Sequence, residues 1–209
     1  MKYERFDEVI QAYPWEIGQY LDTIATHKGR MSWLIVPPNS KNKVCLVSHI
    51  DTVFEDRLKD YPKEIIKEQK VETEVPEGSE PVTLNMWTSP QGICGDDRCG
   101  VYAMLKLYNA LPDENKPYML FTDGEESMGV GAHEACKLFA DKLNDVTFFV
   151  ELDRQGFDDM VFYNNEPQDF EEHIGAYGFR KAHGSFSDIS ILGPAFKKCA
   201  VNLSVGYYN

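Results

Sequence analysis

Between residues 82 and 152 the sequence alternates short apolar runs with longer amphipathic ones. The runs Val82–Trp87, Tyr118–Thr122 and Val146–Leu152 predict strands, and the segments Cys99–Leu111 and Gly129–Leu143 predict helices. Strands that alternate with helices of this length are joined by right-handed crossovers and lie parallel. The alternation therefore predicts an α/β fold, a three-layer α/β/α architecture whose central strands are parallel.

The segment before this alternation adds a helical region and two more strands. Apolar side chains spaced through Phe6–Ile24 predict helix on either side of Pro14. Met31–Val36 and Val44–Ser48 predict strands, and the turn-rich residues 37–42 between them predict a hairpin. A hairpin brings an antiparallel pair into the sheet, so we expect the sheet to be mixed.

The remaining segments complete one domain. Glu55–Ser79 is polar and rich in Lys and Glu, which is typical of a solvated surface loop. Val161–Tyr163 predicts a short strand, Gln168–Gly178 a helix, and Ala200–Val205 a last buried strand. A length of 209 residues is enough for one continuous core, so we predict a single domain over residues 1–209.

Composition and charge exclude several classes of protein. With 43% hydrophobic and 26% charged residues the chain is of ordinary globular type, and its net charge of -13 disfavours nucleic-acid binding. No run approaches the roughly 18 apolar residues that span a bilayer. The charged N-terminus and five cysteines without close CxxC pairing are typical of a cytoplasmic protein with reduced thiols.

Acidic and histidine residues follow the predicted strands one after another. His49 and Asp51 come after Val44–Val47 and share one side of the chain, while Asp96 and Asp97 precede a helix. Two further acidic sites, Glu125–Glu126 and Asp153, end the next two strands. Each motif alone has an ordinary explanation, such as a helix N-cap or a surface acid.

The clusters are more informative together, because the carboxyl ends of parallel strands meet at one edge of a sheet. Buried carboxylates in contact repel unless a cation or proton compensates them, and few Lys or Arg residues lie near these positions. One imidazole with several carboxylates suits zinc, with cobalt or manganese as substitutes. The sequence therefore predicts a metal site at this edge.

The order of these motifs resembles that of the dinuclear zinc exopeptidases of the aminopeptidase and glutamate carboxypeptidase type. That family has an HxD on a strand, an Asp-Asp turn, a Glu-Glu pair, a later Asp or Glu, and a final His. The matching residues here are His49 with Asp51, Asp96 with Asp97, Glu125 with Glu126, and Asp153. The resemblance implies a zinc-exopeptidase-like fold and two Zn²⁺ sites.

The resemblance also implies individual roles. Asp96 would bridge two zinc ions and carry a cis peptide bond to Asp97. His49 and Asp153 would complete one zinc site, and Glu126 would begin the other. Asp51 would orient the imidazole of His49 as its hydrogen-bonding partner. Glu125 would be the catalytic acid/base that takes a proton from the attacking water and passes it to the leaving amine.

The sequence departs from the family pattern after its last predicted strand. The family's final metal-binding His should follow the segment Val201–Asn209 almost at once, and the sequence ends at Asn209. We expect a truncated C-terminus and an incomplete second zinc site, with His183 as the best remaining substitute. The 45 residues of Arg154–Lys198 are too few for the family's inserted dimerisation or lid domain, which favours the compact single-domain branch.

Three functions stay open from the sequence. The first is a metallo-aminopeptidase that acts on peptides. The second is a deacylase or carboxypeptidase that acts on an N-acyl amino acid or a peptide at the same site. The third is an inactive family member that serves as a binding protein, which the missing His would explain.

Overall fold

The computed structural model describes residues 2–53, 67–72, 83–88, 92–164 and 166–208. Its helices are α1 Phe6–Ile10, α2 Pro14–Ile24, α3 Gly95–Ala110, α4 Val130–Leu138, α5 Ala140–Leu143, α6 Gln168–Gly175 and α7 Ile189–Phe196. Its strands are β1 His27–Lys28, β2 Ser32–Ile35, β3 Val44–His49, β4 Lys67–Glu72, β5 Thr83–Thr88, β6 Tyr118–Thr122, β7 Phe148–Arg154, β8 Asp159–Val161, β9 Arg180–Lys181 and β10 Cys199–Ser204.

Eight of these strands form one mixed sheet in the order β1-β2-β6-β3-β7-β10-β8-β9. The four central strands β6, β3, β7 and β10 are parallel, while β2 pairs antiparallel with β6 and β8 pairs antiparallel with β10. β4 and β5 form a separate antiparallel pair, so the strand predicted at Val82–Trp87 is present as β5 but is not one of the parallel strands. The predicted fold class, a mixed and centrally parallel sheet within an α/β architecture, is confirmed.

Two hydrophobic cores lie on opposite faces of the sheet. Successive side chains of β6 point alternately into one core and into the other. Met119 and Phe121 belong to the core covered by α1, α2, α3 and α6, whereas Tyr118 and Leu120 belong to the core covered by α4, α5 and α7. All five residues of β6 are buried. This double burial explains why β6 is a continuous apolar run in the sequence.

The predicted hairpin between the strands at 31–36 and 44–48 is wrong. Both strands are present as β2 and β3, but β6 lies between them in the sheet. The loop that joins them is bonded to the chain just before β6: the amide of Lys41 donates to the carbonyl of Glu114, and the side chain of Asn42 donates to the carbonyl of Asn115. The turn-forming residues of this loop therefore bond to the segment before β6, and they do not form a hairpin between β2 and β3.

Two further predictions need correction, and one helix was missed. The segment Glu55–Ser79 is not loop throughout, because it contains β4, and its other residues lie outside the described ones. The helix predicted over Gly129–Leu143 is divided at Phe139, whose backbone leaves the helical region. Helix α7 was not predicted, since its Gly193 and Pro194 are typical of turns. Among the described residues no helix is both long and apolar enough to cross a bilayer.

Candidate metal centre

The predicted site residues meet at the carboxyl edge of the parallel strands. β3 ends at His49, β7 carries Asp153 at its penultimate position, and the loop after β6 supplies Glu125 and Glu126. Asp96 lies in the first turn of α3. Because the ends of parallel strands converge, residues more than a hundred positions apart in the sequence become neighbours.

His49 is the centre of this cluster, and its imidazole is fully buried. Nε2 lies 3.0 Å from Oδ1 of Asp96 and 3.5 Å from Oδ1 of Asp153. Ligand atoms of His49, Asp96 and Glu126 all lie within 4.8 Å of one another, as do those of His49, Asp97 and Asp153. The structure therefore brings together all four residues predicted to bind metal.

Asp51 holds the other side of the imidazole and also reaches the glutamate pair. Nδ1 of His49 lies 3.3 Å from Oδ1 and 3.1 Å from the backbone carbonyl of Asp51. The Asp51 carboxylate accepts the amides of Glu125 and Glu126 at 3.2 and 3.1 Å. An Nδ1–H that donates to Asp51 leaves the Nε2 lone pair directed towards Asp96 and Asp153.

Asp96 and Asp97 are joined by a cis peptide bond, as the family resemblance implies. The carboxylates of Asp96 and Asp97 have different positions and different roles. Asp97 is buried and accepts hydrogen bonds from the hydroxyl of Ser48 and from the amides of Gly100, at 2.9 Å, and His49, at 3.3 Å. The side chain of Asp96 is 34% exposed and faces His49 and the cleft. Asp97 thus supports the turn that presents Asp96.

Gly100 allows this turn to pack against β7. A Cβ at position 100 would lie 2.1 Å from the carbonyl oxygen of Leu152 and 2.4 Å from Oδ1 of Asp97. Any side chain there would separate the start of α3 from the strand that carries Asp153. The glycine therefore sets the distance between two of the predicted ligands.

Asp153 carries the observation that tests whether a metal ion fits. Its Oδ1 is buried and has no hydrogen-bond donor among the described residues, although its backbone amide donates to Oδ1 of Asn202 at 3.0 Å. An orphaned carboxylate oxygen costs free energy unless a cation or proton satisfies it. The donor set of one imidazole nitrogen and several carboxylate oxygens suits Zn²⁺, so the residues present fit a metal ion.

The electrostatics indicate the same need for positive charge. Burial, with nearby acids, raises the pKa of Glu125 to about 8 and that of Asp153 to about 7. Burial lowers the pKa of His49, but Asp153, Asp51 and Asp96 outweigh it and raise the pKa well above its ordinary value. In turn, hydrogen bonding to His49 outweighs burial and holds the pKa of Asp51 and Asp96 low. In the metal-free site a protonated His49 thus supplies part of the positive charge that a metal cation would bring.

A second layer of buried acids lies behind the centre; the sequence predicted a buried carboxylate at Glu151 but not at Asp188. Glu151 and Asp188 are fully buried; the hydroxyl of Ser187 donates to Glu151, and the hydroxyl of Thr122 donates to Asp188. The amide of Asp188 also donates to Glu151, at 3.2 Å. Burial raises the pKa of both acids, that of Asp188 to about 6. This network fixes the start of α7 against β7.

Two other residues near the centre had no predicted role. Arg98, the residue after the Asp-Asp pair, is buried and donates to the carbonyl of Ile50 at 2.7 Å, which holds the loop between His49 and Asp51. Tyr207 lines the same cleft as Asp96, Glu125 and Asp153, and its hydroxyl donates to the carbonyl of Asp153 at 3.3 Å. His183, the proposed substitute ligand, is exposed and belongs to neither metal-binding group of the described residues.

Comparisons with known proteins give the fold and the family. The chain is similar to the LapA aminopeptidase of Legionella pneumophila, with a TM-score of 0.58 and 12% identity over 100% of this chain and 61% of that one. It is also similar to LapB of that organism, with a TM-score of 0.54 and 14% identity over 98% of this chain and 60% of that one. The chain thus spans less than two thirds of the length of both Legionella proteins.

A leucine aminopeptidase precursor from Bacteroides thetaiotaomicron has a TM-score of 0.57 and 14% identity over 97% of this chain and 83% of that one. No curated protein sequence matches. The model of peptidase family M28 matches residues 33–197, which include His49, Asp96, Glu125, Glu126 and Asp153. Because this match extends over most of the sequence, the chain belongs to peptidase family M28.

Proposed function

We propose that this protein is a zinc-dependent peptide hydrolase of the aminopeptidase type, with Glu125 as general base. The observation that carries the proposal is the grouping of His49, Asp96 and Asp153, with Nε2 of the imidazole within 3.5 Å of both carboxylates. The carboxylate of Glu125 lines the cleft beside this group. Family membership and the likeness to aminopeptidase structures support a peptide as substrate.

His49, Asp96 and Asp153 would hold one zinc ion, and Glu126 with Asp96 would contribute to a second. Bound zinc supplies Lewis acidity, which polarises a scissile carbonyl and lowers the pKa of water. Asp51 keeps the imidazole in the tautomer whose Nε2 can bind a metal. Ser48 and Gly100 hold Asp97, and Asp97 holds the turn that presents Asp96.

Glu125 is suited to move a proton during hydrolysis. Its backbone is fixed by the hydrogen bond from its amide to Asp51, while its carboxyl group lies in the cleft. Burial raises the pKa of Glu125 to about 8 in the metal-free protein, and a group whose pKa lies near neutral pH exchanges protons effectively. Its carboxylate would accept a proton from the attacking water, and its carboxylic acid would donate that proton to the leaving amine.

The cleft favours a substrate with a free amino terminus. Glu125, which would not hold a zinc ion, lines it, so its carboxylate attracts a protonated α-amine. An N-acylated substrate lacks this positive charge. We therefore place aminopeptidase activity ahead of the deacylase alternative.

The test is a panel of aminoacyl anilides and their N-acetylated counterparts, incubated with zinc- or cobalt-loaded protein. We expect hydrolysis of the free-amine substrates and a loss of about 10²–10⁴-fold in turnover for Glu125→Gln. Glu125→Gln should still bind zinc, measured by metal analysis after gel filtration, whereas Asp96→Ala should not. Glu114→Gln, on an exposed turn, is the matched control.

Each alternative gives its own result. Hydrolysis of the N-acetylated substrates alone would establish a deacylase. Zinc bound in stoichiometric amount without hydrolysis of any substrate would favour the hypothesis that the protein is an inactive family member that serves as a binding protein. Equal turnover by Glu125→Gln and the parent would show that another group is the base.

A further inference from the structure

A network of buried acids joins the chain before α7 to the strands that carry the candidate metal centre, and the proposed reaction does not use it. Glu151 on β7 and Asp188, directly before α7, are both fully buried. Buried carboxylates cost free energy, and apolar side chains could pack α7 against the sheet without that cost. The network therefore needs an explanation beyond packing.

The carboxylate of Glu151 binds three consecutive residues. It accepts the hydroxyl of Ser187, the amide of Asp188 at 3.2 Å and, at the longer distance of 3.5 Å, the amide of Ile189. Amides at the start of a helix have no partner within the helix, and the positive end of the helix dipole favours a carboxylate. Glu151 therefore ties this stretch of chain to β7, two residues before Asp153.

A second tie runs from Asp188 to β6. Oδ2 of Asp188 accepts the hydroxyl of Thr122, the last residue of β6. Thr122 lies opposite His49 in the parallel pair of β3 and β6, and its carbonyl accepts the amide of Ile50 at 2.8 Å. The chain before α7 is thus tied to the two strands on either side of β3, the strand that carries His49.

The segment directly before these ties lines the cleft beside the candidate metal centre. Residues 184–186, which we call the cleft wall, line the same cleft as Asp96 and Glu125. Ser187 follows the cleft wall directly, so its hydrogen bond to Glu151 holds the end of the wall. A substrate that reaches the metal centre through this cleft would contact the cleft wall.

The cleft wall also packs closely against two other elements. The carbonyl of Phe186 accepts the hydroxyl of Tyr163 at 3.0 Å. A Cβ at Gly184 would lie 2.6 Å from the same hydroxyl, and a Cβ at Gly129 would lie 3.1 Å from the ring of Phe186. The wall therefore has close neighbours after β8 and before α4, and its end is fixed by the ties to β6 and β7.

We propose that Glu151 and Ser187 are positioning residues, which hold the cleft wall at the distance from the metal centre that the substrate requires. This inference rests on the proposed hydrolase function. A loosened wall would lower the fraction of molecules ready to bind substrate, which raises KM. Turnover of bound substrate would be preserved, because the backbone of Glu125 is held separately by Asp51.

Ser187→Ala tests the proposal, because it removes one hydroxyl with little change in packing. With zinc-loaded protein and leucyl nitroanilide we expect KM to rise by about threefold to tenfold, the effect of one buried hydrogen bond, and kcat to stay within about twofold. Zinc affinity should be unchanged, since the hydroxyl of Ser187 contacts Glu151 rather than a predicted ligand. Adding Thr122→Val removes both side-chain ties and should raise KM further. A lower kcat at unchanged KM, or weaker zinc binding by Ser187→Ala, would overturn the proposal.

Ser190→Ala is the matched control. The hydroxyl of Ser190 donates to the carbonyl of Ser187 at 2.6 Å, so this variant also loses a hydrogen bond at the start of α7. The amide of Ser190 still donates to that carbonyl, at 2.9 Å, and the tie to β7 stays intact. We expect no change in KM or kcat. An equal rise of KM in both variants would refute the proposal, because any weakening of α7 would then have the same effect.

NMR relaxation of the backbone amides of residues 184–186 tests the ties with no substrate present. Ser187→Ala should increase the motion of the cleft wall, whereas Ser190→Ala should not. Absence of hydrolysis by the zinc-loaded parent would count against the proposed function alone, and this measurement would still decide on the ties. Increased motion in Ser187→Ala alone would support them, and unchanged motion would overturn them.

Discussion

The two halves of the candidate metal centre differ in how firmly the fold holds them. The buried half consists of His49, Asp51 and Asp153, whose side chains are 0%, 4% and 9% exposed. The open half consists of Glu126, which is exposed, and Asp96 lies between the two halves. The fold thus buries and arranges one half before any ion binds, whereas the other half depends on an exposed side chain.

Paired substitutions test this difference most directly. We expect zinc titration to show one tight and one weaker equivalent. Asp153→Asn should weaken the tight equivalent by more than the 10–100-fold typical for loss of an outer partner, whereas Glu126→Gln should weaken only the second. Competition with a chelator of known affinity measures both. Similar losses from the two substitutions would remove the distinction between the halves.

Buried acids in and around this half should also make the metal-free protein less stable as pH rises. Burial raises the pKa of Asp188 to about 6, Asp153 to about 7 and Glu125 to about 8. The folded state therefore keeps protons that the unfolded chain releases above about pH 4, so this stability is lost as pH passes the folded pKa values. The raised pKa of His49 acts in the same direction.

Thermal unfolding of the metal-free protein between pH 5 and 8.5 measures this effect. We expect the free energy of unfolding to fall with pH, with a contribution from Asp153 on the order of 3 kcal/mol. Zinc should reverse the trend, because metal binding requires deprotonated ligands. Asp153→Asn should flatten the metal-free curve more than Glu126→Gln does. A curve that rises over this range would contradict the buried state of these acids.

Asp51 should matter to both halves, because it contacts His49 and the amides of Glu125 and Glu126. Asp51→Asn should lower zinc affinity by about 10–100-fold, since it no longer fixes the imidazole tautomer as a charged acceptor. Asp22→Asn, near the surface beside Lys28, is a control of the same chemistry. An unchanged affinity of the tight equivalent would show that His49 is oriented by other contacts.

The candidate site could be predicted from the sequence because most of its residues lie at or just after the end of a clear strand signal, while Asp96 precedes a predicted helix. The apolar runs before His49, Glu125 and Asp153 mark strands, and parallel strands bring their ends together. The order of strands could not be predicted in the same way. The chain between β2 and β3 looks like a hairpin locally, and only its hydrogen bonds to residues 114–116 show that β6 lies between them.

Two supporting residues, Asp188 and Arg98, were missed for a related reason. Glu151 accepts hydrogen bonds from the hydroxyl of Ser187 and the amide of Asp188, which is 37 positions later in the sequence. Nothing near Asp188 in the sequence indicates that it is buried. Arg98 looks like a surface cation in a helix, yet it is buried against the carbonyl of Ile50. Contacts that form only between distant segments leave no local pattern, so the sequence indicates the candidate ligands but not all of the residues that support them.

Tyr207 is such a partner, and it offers the smallest and most specific test of the boundary between the halves. It is buried and packs where Gly95 leaves room; its hydroxyl donates to the carbonyl of Asp153 at 3.3 Å and helps to lower the pKa of Asp96, which burial opposes. Tyr207→Phe removes this hydroxyl and should weaken zinc binding by about tenfold, because both the hydrogen bond to Asp153 and the stabilisation of the Asp96 carboxylate are lost. Tyr208→Phe, whose side chain is exposed, should have no effect. Since Asp96 lies between the halves, both zinc equivalents should weaken together; a change in one alone would assign Asp96 to that half.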